Sequence, residues 1–240
     1  MSKEDRPIDP KKIRKPMRHA PRGLLTQGVN ILKETVHRLF GLPDILGFSV
    51  GYRPMKKIRI RVVILRDEEG TPLAEPHEVD HSWQVMAEIF RREAQVEVVP
   101  LEPSVIILPD PAPPEALDVH CTDGAWQEDS DIAGQYFRRY TAHTRWSKWT
   151  GYASPVTVFV VRTVSNIGGC SLGPLTEYVT LKSHMFRVKN PRVMAHEVGH
   201  ACFLTHTEDP ERLMFPKGPG ERITKLEAII MRNSRHVTYW

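Results

Sequence analysis

Apolar positions recur along the chain at two alternating periods. Over residues 24–40, Leu25, Val29, Leu32, Val36 and Leu39 fall three or four apart, which predicts an amphipathic helix stopped by Gly41. Residues 58–65 (IRIRVVIL) alternate apolar and basic side chains and then turn wholly apolar, the pattern of a strand. Residues 67–70 read as a turn. Over residues 79–94 the helical period returns, with Trp83, Met86, Ile89 and Phe90 predicting a helix packed on a sheet. Two short strands are expected at residues 95–99 and 104–108, before Pro109, Pro111, Pro113 and Pro114 interrupt regular structure.

The second half is mixed. Ile132, Tyr136 and Tyr140 share one face of a helix expected within residues 131–145, and Trp126, Trp146 and Trp149 crowd the same region as a local aromatic core. Residues 155–163 (PVTVFVVRT) form the clearest β-run after the first strand. Gly168, Gly169 and Gly173 suggest a flexible loop, and residues 175–182 alternate like an exposed or edge strand. Asn190 and Pro191 supply an N-cap and a first-turn proline for another helix. A last helix is expected from about Thr224, with Leu226, Ile229 and Ile230 on its apolar side. No internal repeat is present. Strand, helix, several strands and then helices predict an α+β domain.

Charge separates the N-terminus from the rest. Residues 1–23 carry eight basic and three acidic side chains, a net +5 in a chain of +4, so the remainder is close to neutral. The basic character belongs to a tail, expected to be solvated and disordered because no aromatics interleave its charges. Nucleic acid is therefore not an expected partner. No apolar run reaches the roughly 20 residues of a membrane span. The N-terminus lacks a secretory apolar region. Cys121, Cys170 and Cys202 lack C-x-x-C spacing, which argues against a cysteine zinc site. Three reduced thiols and a cytoplasmic home are the simplest expectation.

The chemistry concentrates in residues 194–216, MAHEVGHACFLTHTEDPERLMFP. His196 and His200 are four apart, so a helix places both imidazoles on one face, one turn apart, as a shared metal requires. Glu197 follows the first histidine and suits a general base beside a metal. A catalytic zinc usually takes three protein ligands. His206 lies six residues after His200, so the chain must leave the helix near residue 203 and bend back to present it. HExxH alone arises by chance at about the per-cent level in a chain this long; His206 and the later Leu213-Met214-Phe215-Pro216 stretch make the pattern far more specific.

H-E-x-x-H-x-x-x-x-x-H followed by a methionine turn resembles the metzincin zinc peptidases, with closest local similarity to the matrix metalloproteinases and their L-M-Y-P turn. The close resemblance covers about 25 residues; the element order is compatible over residues 58–235, whereas residues 1–55 and 115–150 match nothing. It implies a metzincin-like twisted mixed sheet with packed helices. It also implies one Zn2+ per chain on His196, His200 and His206, with Glu197 as general base and Met214 as an apolar floor. The activity implied is peptide-bond hydrolysis: zinc acidifies a water and polarises the scissile carbonyl, and Glu197 relays the proton to the leaving amine. Residues 215–220 would border the primed side of the cleft, and the strand at 175–182 would bind an extended polypeptide substrate along its edge.

Phe203 stands where the family has a glycine that turns the chain out of the helix. The expectation is that His206 keeps its place and Phe203 accepts a strain of about 1–2 kcal/mol, with its ring buried beneath the site. The tyrosine that some metzincins add as a ligand two residues past the methionine is absent, because that residue is Pro216. Cys202 is expected to be a small core residue, His77 and His81 surface residues, and the remaining histidines no metal ligands. The domain reading is a tail at 1–23, an N-terminal extension at 24–55, an upper subdomain at 56–203 and a lower subdomain at 204–240. Three alternatives stand beside the endopeptidase. One is a catalytically inactive zinc-bearing peptide-binding module. Another is a peptidase of a different HExxH class, with Glu221 or Glu227 as third ligand. The third is a nucleic-acid-associated protein guided by its tail.

Overall fold

The computed structural model describes residue 32, residues 46–48, 50–121, 132–143, 152–165, 168–171, 176–187 and 190–239. The helix expected at residues 24–40, the basic tail and the Trp126, Trp146 and Trp149 cluster lie outside the described residues, apart from Leu32.

Strand β1 (Lys56–Arg66) is the centre of the architecture. Its burial follows its sequence. Ile58, Ile60 and Val62 are buried while Arg59 and Arg61 between them are only partly so; then Val62 to Leu65 are buried without interruption. The change marks where a second layer begins to cover the other face of the sheet. Strand β2 (Val96–Pro111) lies parallel on one side of β1, and β4 (Val156–Val161) parallel on the other. β7 (Tyr178–Lys182) runs parallel to β4, and β6 (Gly169–Ser171) antiparallel to β7, giving the order β2-β1-β4-β7-β6. β8 (Val237–Thr238) pairs antiparallel with the start of β1, and β3 (Asp118–Val119) with β5 (Thr163–Val164) forms a separate two-stranded sheet.

Apolar layers cover both faces. On one, Ile58, Ile60, Val62, Val158, Val160, Val179 and Leu181 pack against α1 (Pro76–Ile89), α4 (Val193–Ala201) and α5 (Lys225–Arg232). On the other, Val63, Leu65, Phe159, Val161 and Tyr178 pack against α2 (Pro114–Leu117) and α3 (Ile132–Tyr140). The Phe137 ring of α3 sits 4.8 Å from that of Phe159 and 5.1 Å from that of Tyr178, centroid to centroid. Parallel neighbours with helices on both faces make this a mixed α/β arrangement with a mostly parallel sheet, so the α+β reading is corrected: the crossover helices are not segregated to one side.

Several local expectations change as well. The two strands at 95–99 and 104–108 are one long β2, whose irregular centre is held by Arg61, donating to the carbonyls of Glu102 (2.9 Å) and Pro103 (3.1 Å). α1 starts earlier than residue 79, at Pro76, with the Glu78 carboxylate accepting from the Glu75 N–H at 2.8 Å, and a π-helical turn (Phe90–Ala94) follows it. On α5 the buried side carries Ala228 and Met231, while Leu226 is exposed; the helix starts where the sequence predicts, with Thr224 as its N-cap. The strand expected at the sheet edge, residues 175–182, is interior: β7 is flanked by β4 and β6, and the edge beside it is formed by β6. Cys121 and Cys170 form a disulfide with Cα atoms 5.9 Å apart, while Cys202 is free and buried. Three reduced thiols were the wrong expectation, and the argument they gave for a cytoplasmic home falls with them. Among the described residues no helix is long and apolar enough to cross a membrane.

Candidate active site

The site forms where α4 passes the edge strand β6. Asn190-Pro191 does not begin the helix; Arg192 occupies the N-cap, and Val193 opens nine helical residues, all but His200 buried. His196 and His200 leave the same face of α4, one turn apart. The exit from α4 brings His206 back to them. Phe203 adopts φ +78°, in the left-handed region, and its N–H bonds the His200 carbonyl at 2.9 Å while the Leu204 N–H reaches the Gly199 carbonyl at 3.0 Å. These two bonds are the Schellman termination that a glycine usually supplies. The ring of Phe203 is 44 % exposed, so its expected burial beneath the site is corrected: a left-handed Cα at this exit directs the side chain to solvent.

The three histidines converge through their Nε2 atoms. The Nε2 of His206 lies 3.3 Å from that of His196 and 3.0 Å from that of His200, and the three ligand atoms fall within 4.8 Å of one another. The Nδ1 atoms of His196 and His200 face the carbonyl oxygens of Leu213 (2.8 Å) and Leu204 (2.7 Å). A carbonyl only accepts, so each Nδ1 carries the proton and each Nε2 a lone pair. Burial pushes both imidazoles down to about 4 and lowers His206 as well, so all three are neutral near pH 7. His206 Nε2 has at most one proton to offer two facing lone pairs. A cation satisfies all three at once, and tetrahedral zinc on imidazole spaces its nitrogens by about 3.3 Å. The donor set therefore fits zinc, and the carbonyls behind the rings are the outer partners such ligands ordinarily have.

Glu197 lies against β6. A Cβ built on Gly169 would stand 2.6 Å from Glu197 Cγ, so only glycine allows the strand to approach the carboxyl this closely. Burial raises the Glu197 carboxyl to about 8, against the opposing charge of Arg192. Both residues line one cavity of about 300 Å³ together with the three histidines, Gly169, Asn190 and Pro216. Met214 is buried below α4, where a Cβ on Gly199 would come within 2.9 Å of its sulfur. Arg192 holds that turn, donating to the carbonyls of Leu213 and Phe215 on either side of Met214. The Thr207 N–H bonds the Met214 carbonyl at 3.2 Å, tying the His206 loop to the same turn.

His196, Glu197, His200, His206 and Met214 are thus all in one place. The alternative ligands are engaged elsewhere: Glu221 pairs with Arg92 at 3.0 Å and Glu227 with Arg212 at 2.6 Å. Of the turn at 215–220 only Pro216 lines the cavity among the described residues, and His77 and His81 are exposed, as expected. Sequence reasoning missed three features. Gly169, read as loop, is the strand that abuts Glu197. Cys121 and Cys170 bring their disulfide to the cavity wall. Arg192 is four residues before His196, a spacing that already placed it on the ligand face.

No family model matches the chain, and neither does any curated protein sequence. Among solved structures, metalloproteinase-II from Bacteroides fragilis matches 72 % of this chain at 12 % identity with a TM-score of 0.41; the chain spans 50 % of that protein's length. A zinc-dependent peptidase from Methanocorpusculum labreanum matches 72 % of this chain and 99 % of its own at 14 % identity, also with a TM-score of 0.41.

Proposed function

We propose that this protein is a metzincin-type zinc endopeptidase. One observation carries the reading: three neutral histidines turn their Nε2 lone pairs on one point, with the Glu197 carboxyl in the same cavity. His196, His200 and His206 would hold the metal. When bound, zinc supplies Lewis acidity, acidifying a water and polarising the scissile carbonyl. Glu197 accepts the proton of the attacking water and returns it to the leaving amine, the role suited to a carboxyl with a pKa near working pH. Burial of α4 keeps competing water from that carboxyl. The carbonyls of Leu204 and Leu213 hold the two helical imidazoles in orientation. Met214 supports α4 from below and takes no part in the proton transfers. The edge strand β6, with Gly169 facing Glu197, is the wall along which an extended polypeptide would lie.

The test measures zinc content and cleavage of a peptide library by the purified protein. Close to one equivalent of zinc, removable by a chelator, is expected together with cleavage within peptide chains. Glu197→Gln should keep the zinc and lose about 10²- to 10⁴-fold in turnover. A protein that stays metal-free when zinc is added, or a variant as active as the parent, would overturn the reading.

A further inference from the structure

One wall of the cavity is a lightly held piece of sheet. β6 is three residues long, lies last in the strand order and pairs there with β7 alone. Gly168 and Gly169 lead into it, and glycine loses more conformational freedom than any other residue when the chain is fixed. Successive strand residues face opposite ways. Gly169 abuts Glu197 and Leu181 on the α4 side, whereas Cys170 sits in the apolar layer of the other face. The second hold on β6 is covalent: Cys170 is bonded to Cys121, 49 residues earlier and just past β3. That end is anchored. β3 pairs with β5, the Ser165 N–H donates to the Val119 carbonyl at 3.0 Å, and the Cys121 N–H donates to Ser165 Oγ at 3.2 Å. Arg162 clasps Asp118 in the same segment, its Nε donating to the carboxylate at 3.0 Å. The disulfide therefore moors the strand that abuts Glu197 to a fixed point of the second sheet. Both cysteines line the cavity that the three histidines share, so the bond can be met from the substrate's side.

We propose that the Cys121–Cys170 disulfide is a redox control of the site: oxidised, it fixes β6 against Glu197, and its reduction by a dithiol frees the strand and withdraws cleavage while the histidines keep their places. This rests on the peptidase reading of the same site. One thiolate of the dithiol attacks the sulfur of Cys121, the less buried of the pair. The S–S bond breaks, and Cys170 leaves as a thiolate that takes up a proton. The dithiol's second thiolate then displaces Cys121, which is protonated in turn. The dithiol ends as a cyclic disulfide, and its two electrons pass to the two cysteines. Reduction returns to β6 the chain freedom that the cross-link removes, and a short edge strand is where a sheet opens first. The histidines and the carbonyls behind them belong to residues 196–213, a stretch that the disulfide does not tether. Glu197 is exposed to the change because its neighbour is β6 itself.

The experiment takes zinc-loaded protein through reduction with dithiothreitol, removal of the reagent, and reoxidation with glutathione disulfide. At each stage thiols are counted by alkylation in denaturant, zinc by elemental analysis, cleavage on one peptide selected from a library, and amide hydrogen exchange over residues 168–171. Reduction of the native protein should raise the count from one thiol to three and leave the zinc in place. It should lower kcat/KM by about tenfold to 100-fold, the scale of a displacement of about 1 Å at a catalytic group. Exchange in β6 should quicken by about tenfold or more. Reoxidation should restore all of these. The double variant Cys121→Ser, Cys170→Ser should resemble the reduced protein and ignore the dithiol, which separates the control from zinc chelation by the reagent. If that variant does not fold, the parent's own reduction and reoxidation decide. Three thiols with unchanged cleavage and exchange overturn the proposal, as does a count that stays at one in the native protein, or zinc that leaves with the bond. A protein that cleaves nothing in either state, yet loosens at β6 on reduction with its zinc retained, keeps the redox control of this wall and loses the peptidase reading. Cleavage that is indifferent to reduction does the reverse.

Discussion

His200 and Leu204 close on each other from both sides of the helix exit: the imidazole Nδ1–H donates to the Leu204 carbonyl at 2.7 Å, one residue past the left-handed Phe203. The turn out of α4 and the orientation of the His200 imidazole are therefore set by the same piece of backbone. Whatever stabilises the turn also fixes the ring.

Phe203→Gly should stabilise the protein by about 1 kcal/mol, because a non-glycine residue is strained at φ +78°. Zinc content and activity should be retained. Denaturant midpoints of the two proteins measure the effect; a lower midpoint for the glycine variant would mean that the ring makes a contact worth more than the strain.

His206→Ala tests the third ligand. Removing it leaves two imidazoles on α4, and zinc affinity should fall by more than about 100-fold, beyond the loss typical of an outer-shell partner. Competition with a chromophoric chelator reads this directly. Undiminished affinity would point to another ligand, although Glu221 and Glu227 are bound to Arg92 and Arg212.

Gly169→Ala inserts a methyl group 2.6 Å from Glu197 Cγ and 2.8 Å from Leu181 Cδ2. The carboxyl must move, and a displacement of about 1 Å can cost some 10²-fold in rate. The histidines are untouched, so zinc binding should persist. A fully active alanine variant would show that Glu197 does not act from the position it occupies.

The three candidate ligands were legible because their signal is local. The i, i+4 spacing and one loop length suffice to bring His196, His200 and His206 together. β1 was legible for the same reason, its burial being written in its own alternation. What the sequence concealed depends on partners distant along the chain. Residues 175–182 alternate like an edge strand, yet β6 caps them because Gly169 to Ser171 fold back antiparallel, a pairing that no periodicity announces. Leu226 fits a helical apolar stripe, but α5 packs through Ala228 and Met231 and leaves it exposed. The pairing of Cys121 with Cys170 spans 49 residues and has no spacing signature.

That pairing has a measurable consequence. Thiol titration of denatured, non-reduced protein should count one free thiol, Cys202, and three after reduction. Three thiols before reduction would mean that Cys121 and Cys170 stay apart in the isolated protein.

The acid stability of the fold should depend on Glu177, at the entry to β7. Its carboxylate lies 2.8 Å from Nη1 of the fully buried Arg235 and 3.0 Å from Nδ1 of His143. Burial by itself raises this carboxyl, but the hydrogen bond from His143 and the charge of Arg235 outweigh it and bring the group down to about 2, from an ordinary value of 4.5. The folded state therefore binds protons less readily than the unfolded chain. The stabilisation is complete above the unfolded value and is lost as pH falls from about 5 toward 2, with a full size of about 3 kcal/mol. Glu177→Gln removes the titration and leaves Arg235 with a neutral partner, so the variant should be the less stable protein at pH 7. The difference between the two, followed by urea unfolding at successive pH values, should narrow across that window. A difference that stays constant from pH 6 to pH 2.5 would mean that Glu177 does not control the acid limb.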